Sequence, residues 1–220
     1  MRNNLALMSA LVFLFAAAST VSGQRRLLTM KEYFDDIKSV DALRLDGPSR
    51  WEGTEETLSN GAVIKTLWSM SEVSGPGRTR RYAKSTQGAE VTEIEQISID
   101  SFRYQRQDGG SWTKTDMRQL RNGNGSGSGS PRVTSQCSQV SVEPSSLDGK
   151  PMRLYEMESV ESKDNELTFR HSRSWIGEDG RLYKREDTSG KLSPREETRR
   201  STMITTYDPP DIKAIEAPIE

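Results

Sequence analysis

Gly preceded by Asp or Asn, at 46–47, 60–61, 108–109, 122–123, 124–125, 148–149 and 179–180, is the feature that most constrains what this chain can fold into. Such pairs accept the positive φ angles that tight hairpins demand, so their recurrence marks a meander of antiparallel strands. The segments between them alternate. Ile64, Thr66, Trp68 and Met70 fall on one face of a strand, with Lys65, Ser69 and Ser71 on the other. Val91, Glu93, Glu95, Ile97 and Ile99 alternate less cleanly. Phe102 and Tyr104 share a face, and Trp112 follows the turn at Asp108-Gly109-Gly110. Segments 152–160, 166–176, 181–187 and 196–207 continue the pattern. Roughly eight or nine such strands predict an open or half-closed antiparallel barrel.

One helix interrupts this reading. Thr29-Met30-Lys31-Glu32 has the form of a capping box, a hydroxyl at the N-cap and a Glu three residues on. Leu28 and Tyr33 are placed for the accompanying hydrophobic staple. Met30, Phe34 and Ile37 recur at helical spacing, with Tyr33 and Val40 at the edge of the stripe, up to Asp46-Gly47-Pro48. Ahead of the helix, residues 1–23 have the layout of a secretory signal peptide: Arg2, an apolar run from Leu5 to Ala18, then small residues before Gln24-Arg25-Arg26. The run is too short for a membrane span, and no Cys sits at the cleavage zone to take a lipid anchor. The expectation is a single extracytoplasmic domain over 24–220, periplasmic or secreted, with no transmembrane segment once the signal is removed. Within it, the Gly/Ser tract at 121–132 predicts a flexible loop.

The charges exclude several functions. Lys and Arg number 31 against 32 Asp and Glu, and nucleic acid binding needs a basic excess gathered on one face. Alternation puts Arg78, Arg80 and Lys84 on one strand face and Arg81 on the other. Glu90, Glu93 and Glu95 follow, which reads as a solvated strand pair with cross-strand ion pairs. Only 32% of the residues are apolar, a low value for a folded domain, so the core is thin. The sole Cys, Cys137, and the sole His, His171, allow no intrachain disulfide and no usual zinc set, and give poor material for a Cys–His nucleophile. The acids at Asp35-Asp36, Glu55-Glu56 and Glu196-Glu197 are adjacent, so on a strand each pair points to opposite faces. Glu156 and Glu158 share a face, but nothing marks a cleft in which two carboxyls converge. No nucleophile elbow, phosphate loop or dinucleotide fingerprint is present. The chain reads as no enzyme, with no cofactor and no metal.

Three stretches carry a family resemblance: Ser98 to Trp112, Arg173 to Glu186 with its Trp175…Asp179-Gly180 hairpin, and the tail from Thr205 to Pro218 with Tyr207-Asp208-Pro209-Pro210 and Ile212-Lys213. In these, and in the order of leader, helix and strands, the chain resembles the bacterial lipoprotein-carrier superfamily, the LolA/LolB-like and LppX-like half-barrels. The resemblance implies a mainly β (α+β) fold, a curved antiparallel sheet with the N-terminal helix packed on its concave face. It also implies carriage of a lipid, a lipoprotein acyl chain or another apolar ligand in the hollow. Face-sharing then makes Ile64, Trp68, Met70, Phe102, Tyr104, Phe169 and Trp175 the candidate lining. The alternative is an envelope protein-interaction module with a filled core and a protein partner. In the carrier reading His171 and Arg173, on the face of Phe169 and Trp175, are candidates for an anionic headgroup at the cavity rim.

Overall fold

The computed structural model describes residues 25–29, 31–33, 35–36, 47–122, 134–163 and 166–218. The signal peptide expected at 1–23, the Gly/Ser tract beyond residue 122, and Met30, Phe34, Ile37 and Val40 of the expected helical stripe lie outside the described residues.

Twelve strands form one antiparallel sheet among the described residues. They are β1 (Arg26–Leu28), β2 (Ser49–Ser59), β3 (Ala62–Gly75), β4 (Arg78–Gln87), β5 (Glu90–Ile99), β6 (Phe102–Gln107), β7 (Thr113–Asp116), β8 (Thr134–Leu147), β9 (Lys150–Lys163), β10 (Glu166–Gly177), β11 (Leu182–Leu192) and β12 (Arg195–Tyr207). A short helix, Met117–Asn122, follows β7. The spatial order is β1-β8-β9-β10-β11-β12-β2-β3-β4-β5-β6-β7. Two meanders, β2 to β7 and β8 to β12, thus meet where β12 pairs with β2. The sheet is curved and does not close, so the fold is a mainly β half-barrel.

The strand count exceeds the eight or nine expected from alternation. β2 (SRWEGTEETLS) and β8 (TSQCSQVSVEPSSL) carry few apolar residues; their ladders come from their neighbours and not from an apolar stripe. The turn dipeptides behave as their chemistry dictates. Asn60-Gly61, Asp108-Gly109 and Asp148-Gly149 all have positive φ at both residues.

The capping box forms. The Glu32 carboxylate accepts from the Thr29 amide at 2.7 Å and from the Thr29 hydroxyl at 2.8 Å, and the Glu32 amide donates to that hydroxyl. These bonds, the amide first, hold the Glu32 carboxyl below its usual range. The helical turn at 31–33 and 35–36 thereby starts directly after β1. Tyr33 lands on the sheet, where Leu28, Val140, Tyr155, Ile176 and Leu182 form one buried cluster with it. A second cluster joins Ile97 and Tyr104 to Ile215 of the C-terminal tail, and a third joins Met152, Leu154 and Trp175. Three small clusters in place of one large core fit the low apolar content.

Gly190 marks a tight point. It sits at a register shift between β11 and β12, where a Cβ would lie 1.9 Å from the Glu196 carbonyl oxygen. Gly190→Ala must therefore part the two strands. The expected loss is about 2 kcal/mol or more, measured as a lowered urea midpoint; an unchanged midpoint would remove the bulge from this description.

Candidate functional site

The ladder registers assign every strand residue to a face. Through the pairs Trp175–Lys184, Lys184–Ile204, Ile204–Glu52, Glu52–Met70, Met70–Tyr82, Tyr82–Glu95 and Glu95–Arg106, one face runs unbroken from β10 to β6. Trp68, Met70, Phe102, Tyr104, Phe169 and Trp175 lie on it, whereas Ile64 falls at the register shift where Thr57 pairs with Lys65 and Leu58 with Val63. Tyr33 packs on the other face, through Tyr155, whose ladder partner is Ser174. A chain held between helix and sheet would therefore not meet these six residues. Alternation sorts residues into two sets but does not say which set receives the helix; that follows from β1 pairing with β8, which places Leu28 beside Val140.

On this outer face, cations roof the aromatic rings. Arg173 and Lys184 stand 4.9 and 4.8 Å from the centroid of Trp175, and Arg195 stands 4.4 Å from Phe169. Lys114 lies over Phe102 and Tyr104, and Arg106 over Trp112. Acids hold many of these cations in turn: Arg173 bridges Glu156 and Glu186, Lys184 pairs with Glu186, and Arg106 with Glu95. Lys84 pairs with Glu93 at 3.0 Å, a cross-strand ion pair of the expected kind. Trp68 meets Tyr82 edge-on at 5.6 Å. Ile64 is 47% exposed. His171 pairs in the ladder with Glu158 and Thr188.

The helix-bearing face is graded. At one end lie Leu28, Tyr33, Val140, Tyr155, Ile176 and Leu182, with Val142, Met157 and Met203 partly buried against them. The Tyr33 and Tyr155 rings are tilted at 6.1 Å. The Tyr155 hydroxyl donates to Asp36 at 2.8 Å, while Arg153 stacks over the ring and pairs with Asp36. Burial, then the bond to Asp36, pushes the Tyr155 phenol up to about 12. Sequence reasoning missed Tyr155, Met157, Ile176, Leu182 and Met203. One signal was available: β9 carries Met152 and Leu154 on one parity and Tyr155 and Met157 on the other, the mark of a strand covered on both faces.

Farther along, the same face turns polar. Asp187 accepts from Ser172 Oγ, from Arg170 Nη2 at 3.0 Å and from Arg185 Nε at 2.8 Å. Burial opposes ionisation of Asp187, yet the Arg185 and Ser172 bonds and the nearby guanidinium charges together hold its carboxyl below the usual value. A groove of about 470 Å³ opens there between Arg170, Asp187, Lys191 and Arg199. Among the described residues, no group of three or more His, Cys, Asp or Glu is placed to share a metal ion, and no helix is long and apolar enough to cross a membrane.

With the half-barrel and its two faces established, known proteins give the following comparison. No protein-family model and no curated protein matches the chain. Among solved structures, the chain is similar to a LolA superfamily protein from Nitrosomonas europaea, with a TM-score of 0.31 at 10% identity over 84% of this chain and 94% of that one. It is also similar to a DUF1329 family protein from Desulfovibrio piger (0.30, 10% identity, 81% and 92%). A third is a domain from Vibrio parahaemolyticus assigned to outer membrane lipoprotein sorting (0.30, 9% identity, 81% and 91%).

The Asp187 arrangement yields a pH dependence. Its folded pKa is depressed, so its contribution to stability is complete above the unfolded value near 3.8 and is lost as the pH falls through the lower folded value. Asp187→Asn should remove that part of the acid limb. At neutral pH it should cost about 2–3 kcal/mol, because Arg170 and Arg185 lose the shared charge and an amide nitrogen replaces one accepting oxygen. Urea unfolding at pH 7 and pH 3 measures both; parallel curves for the two proteins would discard the assignment.

Proposed function

We propose that this protein is a non-catalytic, extracytoplasmic binding protein that holds an apolar chain, such as a lipid or a lipoprotein acyl group, against its helix-bearing face. The observation that carries the reading is the apolar strip under Tyr33: Tyr155, Ile176 and Leu182 at its floor, and Met157 and Met203 half-buried at its margin. Methionine is flexible and polarizable, so it adapts to a chain of irregular shape without a preformed hole. Each methylene buried there contributes about 0.8 kcal/mol. Tyr33 and Asp36, on the turn that follows β1, meet this strip through Tyr155, which supports that turn as its cover.

A second reading is an envelope protein-interaction module, and the outer face favours it. Aromatics roofed by cations and ringed by acids form a surface that a protein partner can cover while the ion pairs remain in the rim. Ile64, Trp68, Met70 and Phe102 belong to that reading as contact residues, with the buried Tyr104, Phe169 and Trp175 beneath them as support.

Uptake of a fluorescent fatty acid separates the two. Met157→Asp combined with Met203→Asp should reduce uptake by about tenfold or more, each buried charge opposing an acyl chain, whereas Trp68→Asp should leave it near wild type. The reverse ranking would transfer the ligand to the outer face. No uptake by folded wild type, together with a clean mass after organic extraction, would favour the interaction module.

A further inference from the structure

The helix-bearing face has a second half, and its charge pattern differs from the rest of the molecule. Across β3 to β7 the interior positions of this face are mostly uncharged, among them Ser69, Ala83, Ile94, Gln96 and Ser98, together with Arg81 and Arg103. The carboxylates on this side, Glu90 at the start of β5 and Asp100 in the turn after it, sit at hairpin ends. Elsewhere most strand arginines meet an acid.

Arg103 is the exception that matters. Its ladder partners are Ser98 and Thr115, and its Nε is buried without any hydrogen-bond acceptor. Two other arginine Nε atoms share that condition, but their surroundings differ: Arg173 stands against Glu156 and Glu186, and Arg80 pairs in the ladder with Glu72. Asp100, the carboxylate nearest to Arg103 along β5, is turned toward Gly77, where its Oδ1 lies 3.2 Å from a would-be Cβ. Arg103 also opens into a groove of about 560 Å³ beneath the β6–β7 connection. The rest of its lining is Gln105, Gln107, Ser111, Thr113 and Thr115, with Gly110 and Arg106. Arg106 is already committed to Glu95. The nearest acid at the rim, Asp108, accepts from the Glu93 amide and from Gln107.

We infer that this groove is an oxyanion site, in which Arg103 takes a phosphate with Gln105, Thr113 and Thr115 as supporting donors. A guanidinium presents a planar fork that matches phosphate oxygens two at a time, and the half-buried Arg103 guanidinium, whose Nε has no acceptor, can offer such a fork to the groove. Hydroxyls and amides with no competing carboxylate complete a donor-rich lining. The chemistry fits either free phosphate or the phosphate of an amphiphile's headgroup. On the binding reading above, the second makes the cargo a phosphate-bearing amphiphile, with its chain on the Tyr155 half and its head on the Arg103 half; the oxyanion site itself does not depend on that reading.

The test uses wild type, Arg103→Gln and Thr115→Val, each checked for an unchanged melting curve, with three probes. These are inorganic phosphate, a short-chain phosphatidic acid, and the diacylglycerol of the same chains. Phosphate should shift the amide resonances of Arg103 and Thr115 in the wild type, and Arg103→Gln should weaken that binding by about tenfold or more. Phosphatidic acid should bind more tightly than diacylglycerol, and Arg103→Gln should erase the difference while leaving diacylglycerol untouched. Phosphate binding alone, with neither lipid taken up, supports the site and counts against the apolar-chain reading. Equal binding of both lipids, without a phosphate response, keeps that reading and overturns the site. Phosphate binding that survives Arg103→Gln also overturns it.

Discussion

The pairing of β12 with β2 is the interaction on which everything else depends. Each meander builds itself from neighbouring hairpins, but joining them requires residues 144 apart to meet, as Arg199 meets Glu55 and Arg200 meets Glu56. Closing so long a loop is entropically unfavourable and slow relative to hairpin formation. Extended chain carries the seam from Arg199–Thr57 to Tyr207–Ser49. Within its last pairs Arg50 holds Glu72 and Asp211, and just past its end the Asp208 amide donates to the Pro48 carbonyl. The tail then runs on until Ile215 is buried against Ile97 and Tyr104, with Arg78 donating to its carbonyl. The same seam therefore positions the helix-bearing face and pins the tail on the outer one.

A thin core shapes how the two faces are finished. With few aliphatic residues to spend, the outer face uses aromatic rings under cations, each worth about 0.5–2 kcal/mol depending on desolvation. Over Phe169 and Trp175 the cations alone cover the rings, while the tail adds Ile215 beside Tyr104. The helix-bearing face instead gathers its apolar residues at one end and leaves small hydroxyl side chains across the middle. Gly53, Ser69, Ser71 and Ser174 keep that surface low, giving a floor over which a ligand or a helix can lie.

Local chemistry was readable in the sequence. Thr29 and Glu32 cap the helix because both partners lie within one turn, and Asn60-Gly61, Asp108-Gly109 and Asp148-Gly149 turn the chain because their φ preferences are intrinsic. Face-sharing within a strand was readable too: Trp68 with Met70, Phe102 with Tyr104, and Phe169 with Trp175 share faces as alternation requires, while the register shift at Ile64 leaves no mark in the pattern. What was not readable is long-range. Which face meets Tyr33 is decided by the pairing of β1 with β8. β2 and β8 are strands because their neighbours supply the ladder. Ile215 is buried because the tail returns over β5 and β6. The isolation of Arg103 shows only when Ser98 and Thr115 are seen to be its neighbours.

The ends of the sheet are its shortest strands. β1 contributes three residues and β7 four. β7 is flanked by Arg118, which pairs with Asp116, and β1 by Arg25, which reaches Glu156. A sheet of this breadth with long bare margins would invite another copy to extend its ladder. At β7 a newcomer finds four residues of backbone, closed off by a guanidinium and a helical turn, whereas β1 covers only Val140, Ser141 and Val142 of the longer β8. The β7 margin thus carries its own terminator, and a chain so rich in strands is discouraged from growing into fibres through it.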